Sequence, residues 1–293
     1  MYNKINITEN YSSDKKLRNY YNDFISKVFP GISFKDWYKL GFWTKDYIPF
    51  SIIESGKIIS NVSAALMTTI VNGEKHRAIQ IGAVGTLPEY RKKGFSKYLT
   101  NYVLDKYKNS VDHFFLFAND SVLDFYPKFG FKYISENIWV LESHIPKSNY
   151  SARKLVLTNE NDYNLLIDLI KNRKSITNIF GAANYGFITM WHVINQYSNN
   201  MLYLEDENII FIISENNGTV NIIDVIFSNP FDFQSTLPKI LQSDSVQSII
   251  YSFPPDQLKY NFDVKKNKHS GLFTLGKIEL SDTEVKFPET AHT

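Results

Sequence analysis

Arg91-Lys92-Lys93-Gly94-Phe95-Ser96 sets three cations and one glycine directly ahead of an amphipathic stretch, Phe95 to Tyr107, with helical spacing. Such a turn has a defined chemistry. The first N–H groups of a helix have no intrahelical acceptor, and the helix dipole adds partial positive charge to them. Phosphate is held there, and a glycine lets it approach the backbone with no Cβ in its path. The spacing therefore predicts a pyrophosphate grip at Gly94, Phe95 and Ser96, with Arg91, Lys92 and Lys93 adding charge-assisted contacts. The same residues also fit a plain basic turn before a surface helix. Downstream stands Asn119-Asp120-Ser121-Val122-Leu123-Asp124-Phe125-Tyr126-Pro127-Lys128-Phe129-Gly130-Phe131. Taken alone it reads as a short helix capped by Asn119, ended by Gly130 and burying Tyr126.

These residues need a frame. His76 to Thr86 alternates as a long strand feeding the basic turn, and its Gly82-Ala83-Val84-Gly85-Thr86 run suggests a bulge or a close ligand approach. Asp112 to Ala118 is a short apolar strand of the kind covered on both faces. Upstream, Asp14 to Val28 has helical spacing, Ser33 to Leu40 forms a second short helix, and strands Pro49–Glu54 and Lys57–Met67 flank the Ser55-Gly56 turn. Lys4 to Thr8 begins the chain as a strand, and Lys132 to Glu142 returns to β structure. After a linker at 146–151 the order recurs, so each half reads β-α-α-β-β-β-α-β-α-β. The tail from Ser281 to Thr293 is expected to be mobile.

The element order and motifs resemble the GNAT superfamily of acetyl-CoA-dependent N-acetyltransferases, specifically over residues 76 to 133. The family's pyrophosphate signature, Gln/Arg-x-x-Gly-x-Gly/Ala, is matched by Arg91 to Ser96. Ser96 replaces the final small residue with one that can itself donate to phosphate. The Asn119 to Phe131 run resembles the family's Asn-x-x-Ala-x-x-Phe-Tyr-x-Lys-x-Gly-Phe pattern. The resemblance implies an α/β (α+β) GNAT fold, a mixed central sheet flanked by helices, duplicated as two tandem domains at 1–145 and 151–293. It implies acetyl-CoA as cosubstrate, held by Val84, Gly85, Thr86, Arg91, Lys92, Lys93, Gly94, Phe95, Ser96 and Asn119. Tyr126 becomes the general acid that protonates the departing thiolate. Near pKa 10, a phenol can do so for a thiol of comparable basicity. Some relatives carry a basic carboxylate at a position that aligns with Gln80, which cannot serve; His76, another carboxylate or a water chain must then replace it. The alternative is an acyl-CoA sensor or scaffold without turnover.

The second half lacks this chemistry. Phe227-Ser228-Asn229-Pro230-Phe231-Asp232 has no glycine-basic turn, and Pro230 removes an N–H. Pro254-Pro255-Asp256 stands in place of the Asn…Tyr motif, so this copy is expected to be degenerate. It is expected to shape an acceptor cleft, although Phe180, Tyr185, Phe187, Trp191 and Tyr197 fit a core at least as well.

Composition narrows the classes. The chain of 293 residues is long enough for two domains, and it has no cysteine, hence no disulfide, thiolate metal site or Cys acyl-enzyme. Six histidines (His144 and His269 among them) lack metal-ligand spacing, so no metal is expected. A net charge of +2 argues against nucleic acid as partner. Six cations against two carboxylates give residues 89–108 a local excess beside the glycine turn, where an anion would be drawn. No apolar run is long enough for a membrane span, and the first residues lack a signal-peptide core, so a cytoplasmic protein acting on a small-molecule or peptide amine is expected.

Overall fold

The computed structural model describes residues 5–142, 145–267, 270–280 and 284–293. Lys4, His144, His269 and residues 281–283 of the expected mobile tail lie outside them. The elements follow in order: β1 (Ile7–Glu9), α1 (Lys15–Val28), α2 (Lys35–Lys39), β2 (Tyr47–Glu54), β3 (Lys57–Val71), β4 (Glu74–Thr86), α3 (Phe95–Tyr107), β5 (His113–Phe117), β6 (Lys132–Tyr133) and β7 (Asn137–Leu141). Then come β8 (Arg153–Lys154), α4 (Glu160–Asn172), β9 (Phe180–Ala183), α5 (Gly186–His192), β10 (Met201–Leu204), β11 (Ile209–Asn216), β12 (Thr219–Ile226), α6 (Phe233–Ile240), β13 (Ser248–Tyr251), β14 (Asp263–Lys266) and β15 (Leu272–Gly276).

Among the described residues the strands form two mixed sheets, ordered β1-β2-β3-β4-β5-β15-β6 and β14-β7-β13-β12-β11-β10-β8, with β9 beside β3. Each sheet contains one parallel pair, β4 with β5 and β12 with β13, bridged by a crossover helix, α3 or α6. The element order of the first sheet thus recurs in the second, as expected for tandem copies. The strands expected from Lys132 to Glu142 split at 134–136 and enter different sheets. β7 pairs with β13 and β14, while β15, from the far end of the chain, pairs with β5 and β6. One strand is therefore exchanged in each direction across the 146–151 linker, and the expected units 1–145 and 151–293 do not map one to one onto the sheets.

The tail at 284–293 is not loose. Val285, Phe287, Thr290 and Ala291 are fully buried. Val285 accepts from the Asn137 amide at 2.7 Å, the Phe287 amide donates to Glu136 Oε1 at 2.9 Å, and Thr290 donates to Asp224 Oδ2. Asp224 also holds Arg173 through a buried two-point ion pair, 2.8 and 3.0 Å. Gln80 of β4 donates to the Ala291 carbonyl at 3.2 Å, so the segment runs between the sheets and bonds to both. Its polar sequence hid this, because its apolar residues meet partners far away in the chain.

Two histidines, His113 buried and His292 partly buried, make the fold acid-sensitive. Burial, helped by Lys286 and His192, lowers His292 to about 3, and burial, helped by His76, lowers His113 to about 4. Both are neutral when folded but take up a proton near pH 6.5 when unfolded. Between those values the unfolded state binds more protons, so stability is complete above about pH 6.5 and falls with pH toward 3–4. At about 1.4 kcal/mol per pKa unit, denaturant melts should lose several kcal/mol from pH 7 to 4, and His113→Asn should flatten the slope. An unchanged slope in that variant would show that His113 titrates normally.

Candidate active site

The site forms where β4 parts from β5. Their parallel register runs from Ala78↔His113 to Ile81↔Leu116 and stops there. On the other edge, β3 pairs Ser63 with Gly82 and then Asn61 with Gly85, so Ala83 and Val84 share one place across from Val62. That is a bulge, and it puts Ala83 in the left-handed region at φ 46. Asn61 Nδ2 fastens the Ala83 carbonyl at 2.9 Å. Val84 therefore lies outside both regular ladders, at the mouth of the opening. Close packing accounts for the flanking glycines. A Cβ on Gly82 would come within 2.5 Å of Thr293 Oγ1, and one on Gly85 within 2.6 Å of Val28 Cγ1.

The basic turn follows β4. Lys92 and Gly94 both have positive φ, 62 and 81, a geometry that brings successive N–H groups to one side. Gly94 is the N-cap of α3, and no side chain caps the helix. A cavity of about 600 Å³ opens here, lined by Val84, Gly85 and Thr86 and by Arg91, Lys92, Gly94, Phe95, Ser96 and Asn119. The expected binding residues are thus brought together, except Lys93, whose ammonium lies 5.0 Å from the Tyr90 ring centre. Ser96 also differs from expectation. Ser60 Oγ donates to the Gly85 carbonyl at 2.9 Å and contacts Thr86 Oγ1 at 2.8 Å, which contacts Ser96 Oγ at 2.7 Å. With all three bonds made, the Ser96 proton is spent on Thr86, and only its lone pairs and backbone N–H face a ligand.

Asn119 is exposed and caps nothing: the turn Asp120–Val122 begins without a side-chain cap bond. The short helix expected before Gly130 is instead two 3₁₀ turns, Asp120–Val122 and Tyr126–Phe129. Pro127 explains the break, since it lacks an N–H and disfavours helical geometry at Tyr126. Tyr126 is 5% exposed, wedged between Phe125, Phe131 and Phe273. Burial raises its phenol to about 12.

A second cavity, about 320 Å³, adjoins the first and shares Phe29, Val84, Asn119, Val122 and Tyr126 with it. Its walls are largely aromatic, from Phe34, Trp37, Tyr47 and Trp191, and the tail closes it with His292 and Thr293. His292 stacks on Phe117 at 3.7 Å between ring centres. Sequence reasoning missed this wall. Of the aromatics proposed from the second half, Trp191 lines it, whereas Phe180, Tyr185 and Phe187 are buried core. Gln80 is buried, donating to the Ala291 carbonyl at 3.2 Å, and His76 lines a separate depression with Glu74 and Lys75. Neither reaches the cleft.

The second half differs at the matching point. The N-terminus of α6 is capped by Asp232, whose carboxylate accepts from the Gln234 amide at 3.1 Å. A negative charge already stands where an anion would bind. Among the described residues no cluster of three or more His, Cys, Asp or Glu side chains is placed to hold a metal, and no helix is long and apolar enough to cross a membrane.

The fold is shared with solved structures. A probable N-acyltransferase of unknown function from Enterococcus faecalis V583 aligns over 92% of this chain and 71% of its own, with TM-score 0.61 and 15% identity. Eis1 from Mycobacterium abscessus aligns over 91% and 72%, with TM-score 0.59 and 14% identity. A GCN5-related N-acetyltransferase from Kribbella flavida aligns over 92% and 70%, with TM-score 0.58 and 10% identity. Residues 43–134, the stretch from Trp43 through β4, α3, β5 and Tyr126, match the family model described as the acetyltransferase (GNAT) domain. This part of the chain is thus similar to a GNAT acetyltransferase domain, and the whole shares its fold with solved structures of that kind. No curated protein matches it in sequence.

Proposed function

We propose that this protein transfers acetyl from acetyl-CoA directly to an amine, with residues 1–145 carrying the donor site in a sheet that β15 completes and 151–293 a degenerate copy that walls the acceptor side. The observation that supports this most strongly is the junction of the two cavities at Val84, Asn119 and Tyr126. The larger one carries the uncapped helix N-terminus and the cations, and so fits the diphosphate of the donor substrate. Asn119 and the free edge of β4 would hold the arm that crosses the junction. The Val84 N–H would polarise the acyl carbonyl, a donor placed where negative charge develops.

In the step itself the amine nitrogen bonds to the carbonyl carbon, the carbon–sulfur bond breaks, and the nitrogen gives up one proton while sulfur gains one. Tyr126 stands at that point. Its phenol, raised to about 12, is a weaker acid than a thiol near pKa 8.5, so complete transfer in the ground state is uphill. It therefore serves mainly as a fixed hydrogen-bond donor to the developing sulfur charge and completes the transfer late. Thiol release from acetyl-CoA, measured with a panel of primary amines, tests the reading. Tight acetyl-CoA binding with no amine-dependent release would favour the sensor instead.

A further inference from the structure

We infer that Asn61, a fully buried side chain on β3, sets the direction of the Val84 N–H and is thus the positioning residue for the acyl carbonyl. This deepens the transferase reading above and rests on it, since that reading makes Val84 the donor.

One peptide plane carries both groups. The Ala83 carbonyl and the Val84 N–H belong to the same amide, which is planar and trans, so they point in opposite directions. No cis peptide occurs among the described residues. Asn61 Nδ2 holds the carbonyl at 2.9 Å from β3, one neighbour of β4. The N–H is therefore turned toward the other neighbour, β5, at the point where the β4–β5 register has ended after Ile81↔Leu116. A donor aimed there faces the opening between the two strands. A regular ladder cannot supply this. Ala83 and Val84 share one place in the β3 pairing, and Ala83 sits at φ 46, where an L-residue is strained. Such a conformer persists only where its surroundings over-determine it.

Asn61 itself has no freedom to turn. The Ala83 carbonyl only accepts, so the side-chain amide must present its nitrogen there, and the same nitrogen donates to Ser63 Oγ at 3.0 Å. The Asn61 oxygen accepts from Ser51 Oγ at 2.8 Å. Ser51 has then spent its one proton, so the Tyr11 hydroxyl, 2.7 Å away, must donate to Ser51. On the other side Ser63 Oγ meets Tyr21 Oη at 3.2 Å. Asn61, Ser51, Ser63 and Tyr21 are all completely buried. A polar network at this depth adds little net stability, because each bond replaces one to water, but it fixes orientation. Its branches converge on one side-chain amide, and that amide grips the carbonyl behind the Val84 N–H. Ser60 Oγ clips the Gly85 carbonyl at 2.9 Å, so the chain is held on both sides of Val84.

The test uses the full chain and acetyl-CoA labelled isotopically at the acetyl carbonyl, whose infrared stretch falls when a hydrogen bond polarises it. Asn61→Leu keeps the branched shape and removes the donor. In this variant the bound carbonyl band should move up from its native position. With the fastest amine of the panel above, kcat should fall about 10²-fold, the cost of misplacing a reacting group by about 1 Å. Acetyl-CoA affinity should stay within about threefold, because the diphosphate grip lies elsewhere, and general destabilisation does not give that split. Asn61→Ser is the milder variant, for use if the leucine protein does not fold. Its shorter side chain reaches the carbonyl only through a water, and kcat should fall about tenfold. Tyr11→Phe is the control, since it takes a hydroxyl from the same network and leaves all three Asn61 bonds in place. It should melt earlier yet keep the native band, with kcat within about twofold. A band and a kcat unchanged in a folded Asn61 variant, or lost equally in Tyr11→Phe, would overturn the inference and leave the transferase reading intact. A native band at its position in aprotic solvent would overturn it too, by removing the Val84 donor. Absence of acetyl-CoA binding would sink the transferase reading itself.

Discussion

Gly94→Glu should abolish acetyl-CoA binding, with the calorimetric Kd rising at least about 10²-fold, because like charges brought together cost several kcal/mol. Two effects act together. Gly94 sits at φ 81, where a side chain other than Asn or Asp costs about 1–2 kcal/mol. The stronger effect is electrostatic: a carboxylate would enter the cavity shared by Arg91, Lys92 and the uncapped first turn of α3. It would occupy the anion's place, much as Asp232 does on α6. Gly94→Asn separates the two effects, since Asn tolerates the left-handed region and carries no charge. That variant should lose about tenfold or less, with the same melting temperature. Normal affinity in a folded Gly94→Glu protein would show that the diphosphate is held elsewhere.

The contrast between α3 and α6 also explains how the duplicated fold divides its labour. Both helices cross between the strands of a parallel pair, and both begin at the sheet's open end. One start is bare and basic, the other closed by its own carboxylate and by Phe227, Phe231 and Phe233 packed together. Only the first can hold an anion. The second half contributes α5, which supplies Trp191 to the cavity, and the tail that supplies His292. Strand exchange fastens this arrangement. With β7 in one sheet and β15 in the other, the halves cannot separate without breaking sheet hydrogen bonds.

What could be read in the sequence was what short-range physics fixes. The basic turn, the bulge at Gly82–Gly85, the helix from Phe95 and the placing of Asn119 and Tyr126 near the same opening all depend on residues close together in the chain. The tail could not be read, because Phe287 is buried only against Phe115 and Phe180, which distant segments supply. Nor could β9, four residues that exist as a strand because β3 offers an edge from Thr68 to Val71. β14 was missed for a different reason: Asp263–Lys266 is exposed along its length, an edge strand without an apolar face. The aromatic wall belongs to the same class as the tail, since Phe34, Trp37 and Tyr47 meet Trp191 only after both halves have folded.

Tyr126→Phe should lower kcat by about 10²-fold, within the range for groups that handle a proton in the transition state, while acetyl-CoA affinity stays within about twofold. The ring is retained, so its packing on Phe125, Phe131 and Phe273 is retained too, and the melting temperature should not move. That makes the variant a clean removal of one hydroxyl. The phenol's position also fixes the shape of the pH profile. A group raised to about 12 stays protonated throughout the accessible range, so the donor is never lost by titration below about pH 10. kcat/KM for a monoamine should then rise with pH as the free amine deprotonates and level off, with no descending limb. In Tyr126→Phe the profile should keep that shape at a lower height, because the titrating group belongs to the acceptor. An unchanged kcat would take Tyr126 out of the reaction. A descending limb near pH 8 that vanished in the variant would mean a far more acidic phenol, able to transfer its proton outright to the sulfur.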